Sequence, residues 1–245
     1  IVNFPDPLDA TLQLFLNNNK NLNVVCSQVV SNACASSHAA FYLGKKWLEN
    51  NLCEKVIVLS ADFNGPFVMT GFQSLKAMNP STCMPFQDDR TGLILGEAAT
   101  AVILTLKETE FELSGVSINN EAHTVTSPSP EGRGLFQCIK DVIPSFQKPD
   151  ILLAHGTATY MNDLIEDTVF SRAQKELDSN FPILATKWSI GHCLGASGSV
   201  DLIASLMCMK KNHCFSIPAK EVPTKLSAKN YLFNSNKKMQ INSAL

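Results

Sequence analysis

A mostly apolar run at residues 23–30, NVVCSQVV, leads after Ser31 through six small residues, NACASS, into HAAFYLGKKWLENNL. The first stretch reads as a buried strand. The last reads as a helix, with Ala40, Leu43, Trp47 and Leu48 roughly one turn apart and Lys45, Lys46 and Glu49 on the other side. A strand that turns this tightly into a helix is a building unit of α/β folds, and the rest of the chain continues in kind. KVIVLSAD (55–62) and TAVILTL (100–106) are short β-branched runs suited to central strands, joined by a long Pro-containing connection. After a charged break at 107–110 the pattern restarts, with FELSGVSI (111–118) as a strand, GLFQCIKDVI (134–143) as a helix and PDILLAHGT (149–157) as a buried strand. An amphipathic helix over 162–177, a strand FPILATK (181–187) and an apolar helix Ser197–Lys211 complete the series, the last with its lysines at the end that the helix dipole favours. The alternation predicts α/β architecture with a largely buried sheet.

Net charge is -2, and no Lys/Arg-rich stripe offers a footprint for nucleic acid or an anionic membrane surface. No apolar run approaches the roughly 18–20 residues of a membrane span. The first 16 residues lack the basic flank of a signal peptide, so a cytoplasmic protein is expected. Only 17% of residues are charged, which favours burial of surface in an oligomer. The eight cysteines are scattered without a CxxC pair, so reduced thiols and no zinc site are expected.

Three places concentrate chemistry. Cys34 lies where strand turns into helix, an elbow that would expose the sulfur and let the helix N-terminus favour the thiolate. A buried structural thiol fits the local sequence as well. AHGTAT (154–159) ends a predicted strand with His155 and two threonines, at the strand end where α/β sheets bind ligands. TKWSIGHCLGASG (186–198) carries Lys187 and His192 in a Gly- and Ser-rich turn before a helix.

In this order the blocks resemble those of the elongating β-ketoacyl synthases of the thiolase superfamily. SNACASS resembles the nucleophile elbow. PFQDDRTGLILGEAA (85–99) is similar to P-[FW]-D-x-x-R-x-G-[FL]-x-x-G-[ED]-G-A, and HGTATYMNDLIE to H-G-T-x-T-x-x-x-D-x-x-E. TKWSIGHCLGASG resembles K-S-x-x-G-H-x-x-G-A-[AS]-G, and TGFQSLKAMNPST a segment lining the acyl pocket. The resemblance spans residues 26–243. It implies a thiolase-like fold of two related α/β halves with buried mixed sheets, a partial N-terminal half at 1–106 and a second half at 107–245.

For the site, the resemblance implies Cys34 as the acylated nucleophile and His155 and His192 as the catalytic histidines. It also implies Thr157 and Thr159 as phosphopantetheine contacts, Phe72 as the pocket aromatic, and Asp163 and Glu166 as motif acids. A Lys187–Glu166 pair is expected to set the polarity of the histidines. His38, His123 and His213 have no such context. The implied reaction is decarboxylative condensation of an acyl thioester with malonyl-acyl-carrier-protein, in fatty acid, polyketide or polyene synthesis. The implied partners are acyl carrier protein and a ketosynthase subunit in a heterodimer. No cofactor is implied beyond the carrier's phosphopantetheine, and no metal.

The departures are specific. The family's N-terminal region and its C-terminal Gly-Phe-Gly-Gly loop are not matched, Gln87 stands where the family has an acid, and Ala98 where it has Gly. Either the sequence is incomplete or a partner completes a short subunit; the low charge favours the second. A non-catalytic, chain-length-controlling partner of a full-length ketosynthase is the rival expectation.

Overall fold

Small residues at the elbow let the backbone reverse into the first long helix of the site region. In the computed structural model, which describes residues 7–79, 81–124, 128–143 and 148–245, Ala33 takes a left-handed φ of 46° just before Cys34. The Ser36 hydroxyl locks that turn, accepting the Asn32 N–H at 2.8 Å and donating to the Ala33 carbonyl at 2.7 Å. Helix α1 (Pro7–Asn18) precedes this turn and α2 (Ser36–Glu49) follows it. Helix α2 lays Phe41 and Leu48 on β1 (Lys55–Asp62), meeting Val56 and Val58 in one apolar cluster. Each such side chain contributes about 1.5–3 kcal/mol when fully buried.

β1 pairs antiparallel with β2 (Ala98–Thr105), Lys55 opposite Thr105 and Asp62 opposite Ala98. Between them runs α3 (Pro66–Ser74), started by a proline after extended Gly65 and burying none of its residues. The second half comprises α4 (Arg133–Val142), β3 (Leu152–Ala154), α5 (Tyr160–Glu176), β4 (Ile183–Ala185), α6 (Lys187–Ile190) and α7 (Ser197–Lys211), then the short pair β5 (His213–Cys214) and β6 (Lys237–Lys238). β3 and β4 are parallel. Extended residues flank them: Leu153 and Leu245 exchange bonds with the 243–245 and 151 backbone, and Ile183 does so with 230–232.

Burial divides the two sheets. Leu152, Ala154, Ile183 and Ala185 join Phe136, Ile165, Val169 and Phe170 in one cluster, while Ile151 and Leu184 join Cys208, Cys214 and Ile241 in another. The β3–β4 sheet is therefore covered on both faces, as a parallel sheet requires. The β1–β2 sheet is not: its strands alternate, and Ile57, Leu59 and Ile103 (63% exposed) face outward. The expectation of a largely buried sheet holds for the second half and for one face of the first.

Two expected strands do not form. Residues 23–30 are irregular chain, with a bend at Val25, and among the described residues they make no ladder; Val25 is 65% exposed. A β-branched run takes up strand pairing only against a neighbour with free backbone groups, and among the described residues none pairs with this one. Residues 111–118 pack Leu113 and Val116 under α2 and β1 as irregular chain, so their apolar pattern reports burial without hydrogen-bonded pairing. The helices fit better, and α7 has the expected bounds.

Candidate active site

Three segments bring the sulfur and the two histidines together. Cys34 rides the elbow before α2, His155 follows β3, and His192 follows α6 at the glycine turn. Cys34 Sγ and one ring nitrogen from each histidine lie within 4.8 Å of one another. The two imidazoles meet edge to face, with centroids 5.0 Å apart at 87°.

His192 is held from both sides. Its backbone N–H donates to Ile94 O at 2.7 Å and its carbonyl accepts the Gly96 N–H at 3.0 Å, a parallel bridge centred on Leu95. Gly191 (φ 74°) and Gly96 touch there, and a Cβ on Gly96 would overlap the Ile190 carbonyl oxygen. Nδ1 of His192 accepts the Leu194 N–H at 3.0 Å and lies 3.1 Å from Ser197 Oγ. A backbone amide can only donate, so Nδ1 is bare and the neutral ring carries its proton on Nε2. Burial first, then the charge of Lys187, pushes the His192 pKa down to about 4. The same causes, with His192 added, hold His155 well below the imidazole range. Both rings are uncharged at neutral pH.

The acids do different work from that expected. Glu166 does not pair with Lys187. Its carboxylate accepts the His155 and Gly156 N–H groups, both at 2.7 Å, and the Asn162 side-chain amide at 2.8 Å. One turn of helix separates residues 162 and 166, and the carboxylate satisfies backbone donors left open where β3 ends. Lys187 is buried, as expected, but its partner is Asp201 on α7, with Nζ to Oδ2 3.0 Å. Asp201 also accepts the Thr186 hydroxyl. The sequence held a signal for it: Asp201 is the only carboxylate between Lys187 and Lys210, on an otherwise uncharged stretch.

Asp163 joins two loops, accepting the N–H of Phe86 at 2.7 Å and of Ala158 at 3.2 Å. Both residues have a left-handed φ of 63°. Such non-glycine conformations persist where surrounding bonds over-determine them. Burial raises Asp163 to about 6 against the opposing Phe86 N–H; burial and the neighbouring Asp163 raise Glu166 to about 7.

Cys34 itself corrects an expectation. Burial outweighs the Lys187 field and the local backbone N–H, and the thiol pKa is raised, so the resting sulfur is protonated. Asp62, unnoticed in the sequence, accepts the Gly195 N–H at 3.0 Å, and Ser37 donates to the Gly195 carbonyl, tying β1 and α2 to the His192 loop. Phe72 on α3 lies 6.3 Å from the His192 ring. Thr157 and Thr159 share a 2.9 Å hydroxyl bond on the turn beyond His155.

Two family models match consecutive stretches of the chain. The model of the β-ketoacyl synthase N-terminal domain matches residues 26–110, and that of the C-terminal domain residues 111–217. The chain belongs to the β-ketoacyl synthase family. It is 29% identical over 195 residues to nodulation protein E of Rhizobium sp. (strain N33), covering 74% of this chain and 48% of that protein. It is 29% identical over 196 residues to the chloroplastic 3-oxoacyl-[acyl-carrier-protein] synthase I of Arabidopsis thaliana, covering 72% of this chain and 41% of that one. It thus spans about half the length of these relatives or less.

Among solved structures, the ketosynthase ApeO in complex with its chain length factor ApeC, from Xenorhabdus doucetiae, aligns with a TM-score of 0.76 and 27% identity over 86% of this chain and 54% of that one. A type II polyketide synthase assembly, AntDE:AntF, aligns with a TM-score of 0.86 at 18% identity over 98% of this chain and 63% of that one. The fold is thiolase-like.

Proposed function

We propose that this chain is a β-ketoacyl-acyl-carrier-protein synthase subunit performing decarboxylative condensation, with 1–106 as a partial half bearing Cys34 and 107–245 as the half bearing both histidines. The observation that carries this reading is the convergence of Cys34, His155 and His192 within 4.8 Å. In acylation, Cys34 sulfur attacks the thioester carbonyl of a carrier-bound acyl group. Its proton is lost to solvent as the C–S bond forms, and the departing carrier thiolate takes one up in turn. A malonyl thioester then enters. The His192 Nε2–H and the N–H of His155 donate to its thioester oxygen, stabilising the enolate left when carbon dioxide departs. The enolate carbon attacks the acyl-Cys34 carbonyl, the C–S bond breaks, and the chain is two carbons longer.

Lys187 serves as a positioning charge: with Asp201 neutralising it locally, its field favours uncharged imidazoles. Thr157 and Thr159 contact the phosphopantetheine arm and Phe72 the acyl chain. Acyl carrier protein and a second ketosynthase-type subunit are the partners. The similarity to a ketosynthase–chain length factor pair and the outward apolar face of β1–β2 support the second partner. Eight unpaired cysteines are in keeping with a cytoplasmic site.

Incubation with an acyl-carrier-protein thioester, followed by mass spectrometry, tests the reading. An acyl adduct on Cys34, and carbon dioxide release from malonyl thioester that falls in His192→Ala, are expected. No adduct, even with a co-purified ketosynthase partner, favours the non-catalytic, chain-length-controlling role instead.

A further inference from the structure

The three groups that converge are also a metal-ligand set. A thiolate and two imidazole nitrogens bind thiophilic divalent cations, and three protein ligands with a fourth open position are a common zinc arrangement. Around one tetrahedral zinc ion, with bonds of about 2.3 Å to sulfur and about 2.0–2.1 Å to nitrogen, the ligand atoms lie about 3.4–3.6 Å apart. Here they lie within 4.8 Å, so closing the cage takes shifts of roughly 1 Å, within rotamer reach of side chains that each approach from a different element.

We propose that Cys34, His155 and His192 form a reversible capture site for a thiophilic divalent cation of the zinc type, and that its occupation blocks acylation of Cys34. The Cys34 thiol loses its proton to solvent and forms one metal–sulfur bond. His155, whose ring no hydrogen bond among the described residues fixes in one tautomer, can present a lone pair without such a cost. His192 must first change tautomer, because the Leu194 N–H holds Nδ1 bare and leaves the proton on Nε2. Ser197 Oγ, 3.1 Å from Nδ1, is the acceptor that makes the other tautomer possible. Moving the proton to Nδ1 deprives the Leu194 N–H of its acceptor. That penalty, together with the Lys187 charge that opposes a cation at both imidazoles, separates this site from a resident zinc centre, where second-shell groups favour the coordinating tautomer, and it makes the bound ion exchangeable.

The binding half of the proposal rests on geometry alone. The blocking half rests on the acyl-transfer reading above, and the two are measured separately. Co²⁺ titration of the purified chain under reducing, chelator-free conditions should give one equivalent of a sulfur-to-cobalt charge-transfer band with intense tetrahedral d–d absorption, bleached by Zn²⁺. The band should vanish in Cys34→Ser, and Ser197→Ala should weaken affinity about tenfold or more. Zn²⁺ should also slow iodoacetamide alkylation of Cys34, read by peptide mass spectrometry, with EDTA restoring it. No band at millimolar Co²⁺, or a band that persists in Cys34→Ser, overturns the proposal. An unchanged affinity in Ser197→Ala overturns ligation by His192. Failure of acyl transfer in metal-free buffer would count against the functional reading and leave the cobalt spectrum unaffected.

Discussion

Lys187 keeps 1% of its surface in contact with solvent and yet stands beside two imidazoles. Burying a charge is tolerated only with a close counter-charge, and Asp201 at 3.0 Å provides it. The pair leaves a positive field at the histidines that adds to burial in keeping them neutral. With His192 at about 4, malonyl decarboxylation should hold its rate well below pH 6.5, the ordinary imidazole value. Lys187→Met removes one cause of that depression and leaves Asp201 uncompensated, so the acidic limb of the pH–rate profile should move upward. A profile unchanged from wild type would show that the lysine field does not reach His192. That Cys34, His155 and His192 belong together could be read from the sequence because each sits in a block with a distinctive neighbourhood, and the structure brings the three side chains within 4.8 Å of one another. The lysine's partner was missed: the family motif put Glu166 forward, and although Asp201 is the lone carboxylate on the stretch that follows, which of the two reaches Nζ is a packing outcome.

Among the elements, the site depends on a join that no single motif reveals. The strand-like stretch leading into β2 bonds both sides of His192 through Ile94 and Gly96, so the turn after α6 is set by residues nearly a hundred positions earlier. Gly96→Ala should push the Ile190 carbonyl and tilt the imidazole. Overpacking of this kind costs about 1–3 kcal/mol, and a displacement of about 1 Å at a reacting group costs roughly 100-fold in rate. Denaturant midpoints and decarboxylation assays would measure the two losses; wild-type rates in the variant would mean the turn is not held from this side. The helices were legible because apolar spacing and end charges act within one segment. The runs at 23–30 and 111–118 look like strands locally, but pairing needs a neighbour, and sequence periodicity carries no information about which backbone lies alongside.

Across the whole molecule, the buried groups of the site pull stability in opposite directions as pH changes. His192 has a folded pKa of about 4 against 6.5 ordinarily, so between those values the unfolded chain takes a proton that the native state refuses. Acidification through that window therefore favours unfolding, and His155 acts in the same sense. Glu166, at about 7 in the fold against 4.5 ordinarily, does the reverse: the native state takes the proton first, and acidification from about 7 to 4.5 favours folding. Asp163, at about 6 against 3.8, adds to it. The carboxylates thus offset the histidines. Glu166→Gln removes one offsetting group, so its stability should fall more steeply than wild type as pH is lowered from 7 to 4.5. Urea unfolding at a series of pH values would read this as a wild-type advantage that grows on acidification. A Glu166 ionised against Lys187 would have a lowered pKa, and its advantage would shrink on acidification instead. The sign of that single difference distinguishes a carboxylate that staples backbone amides from one that neutralises the lysine.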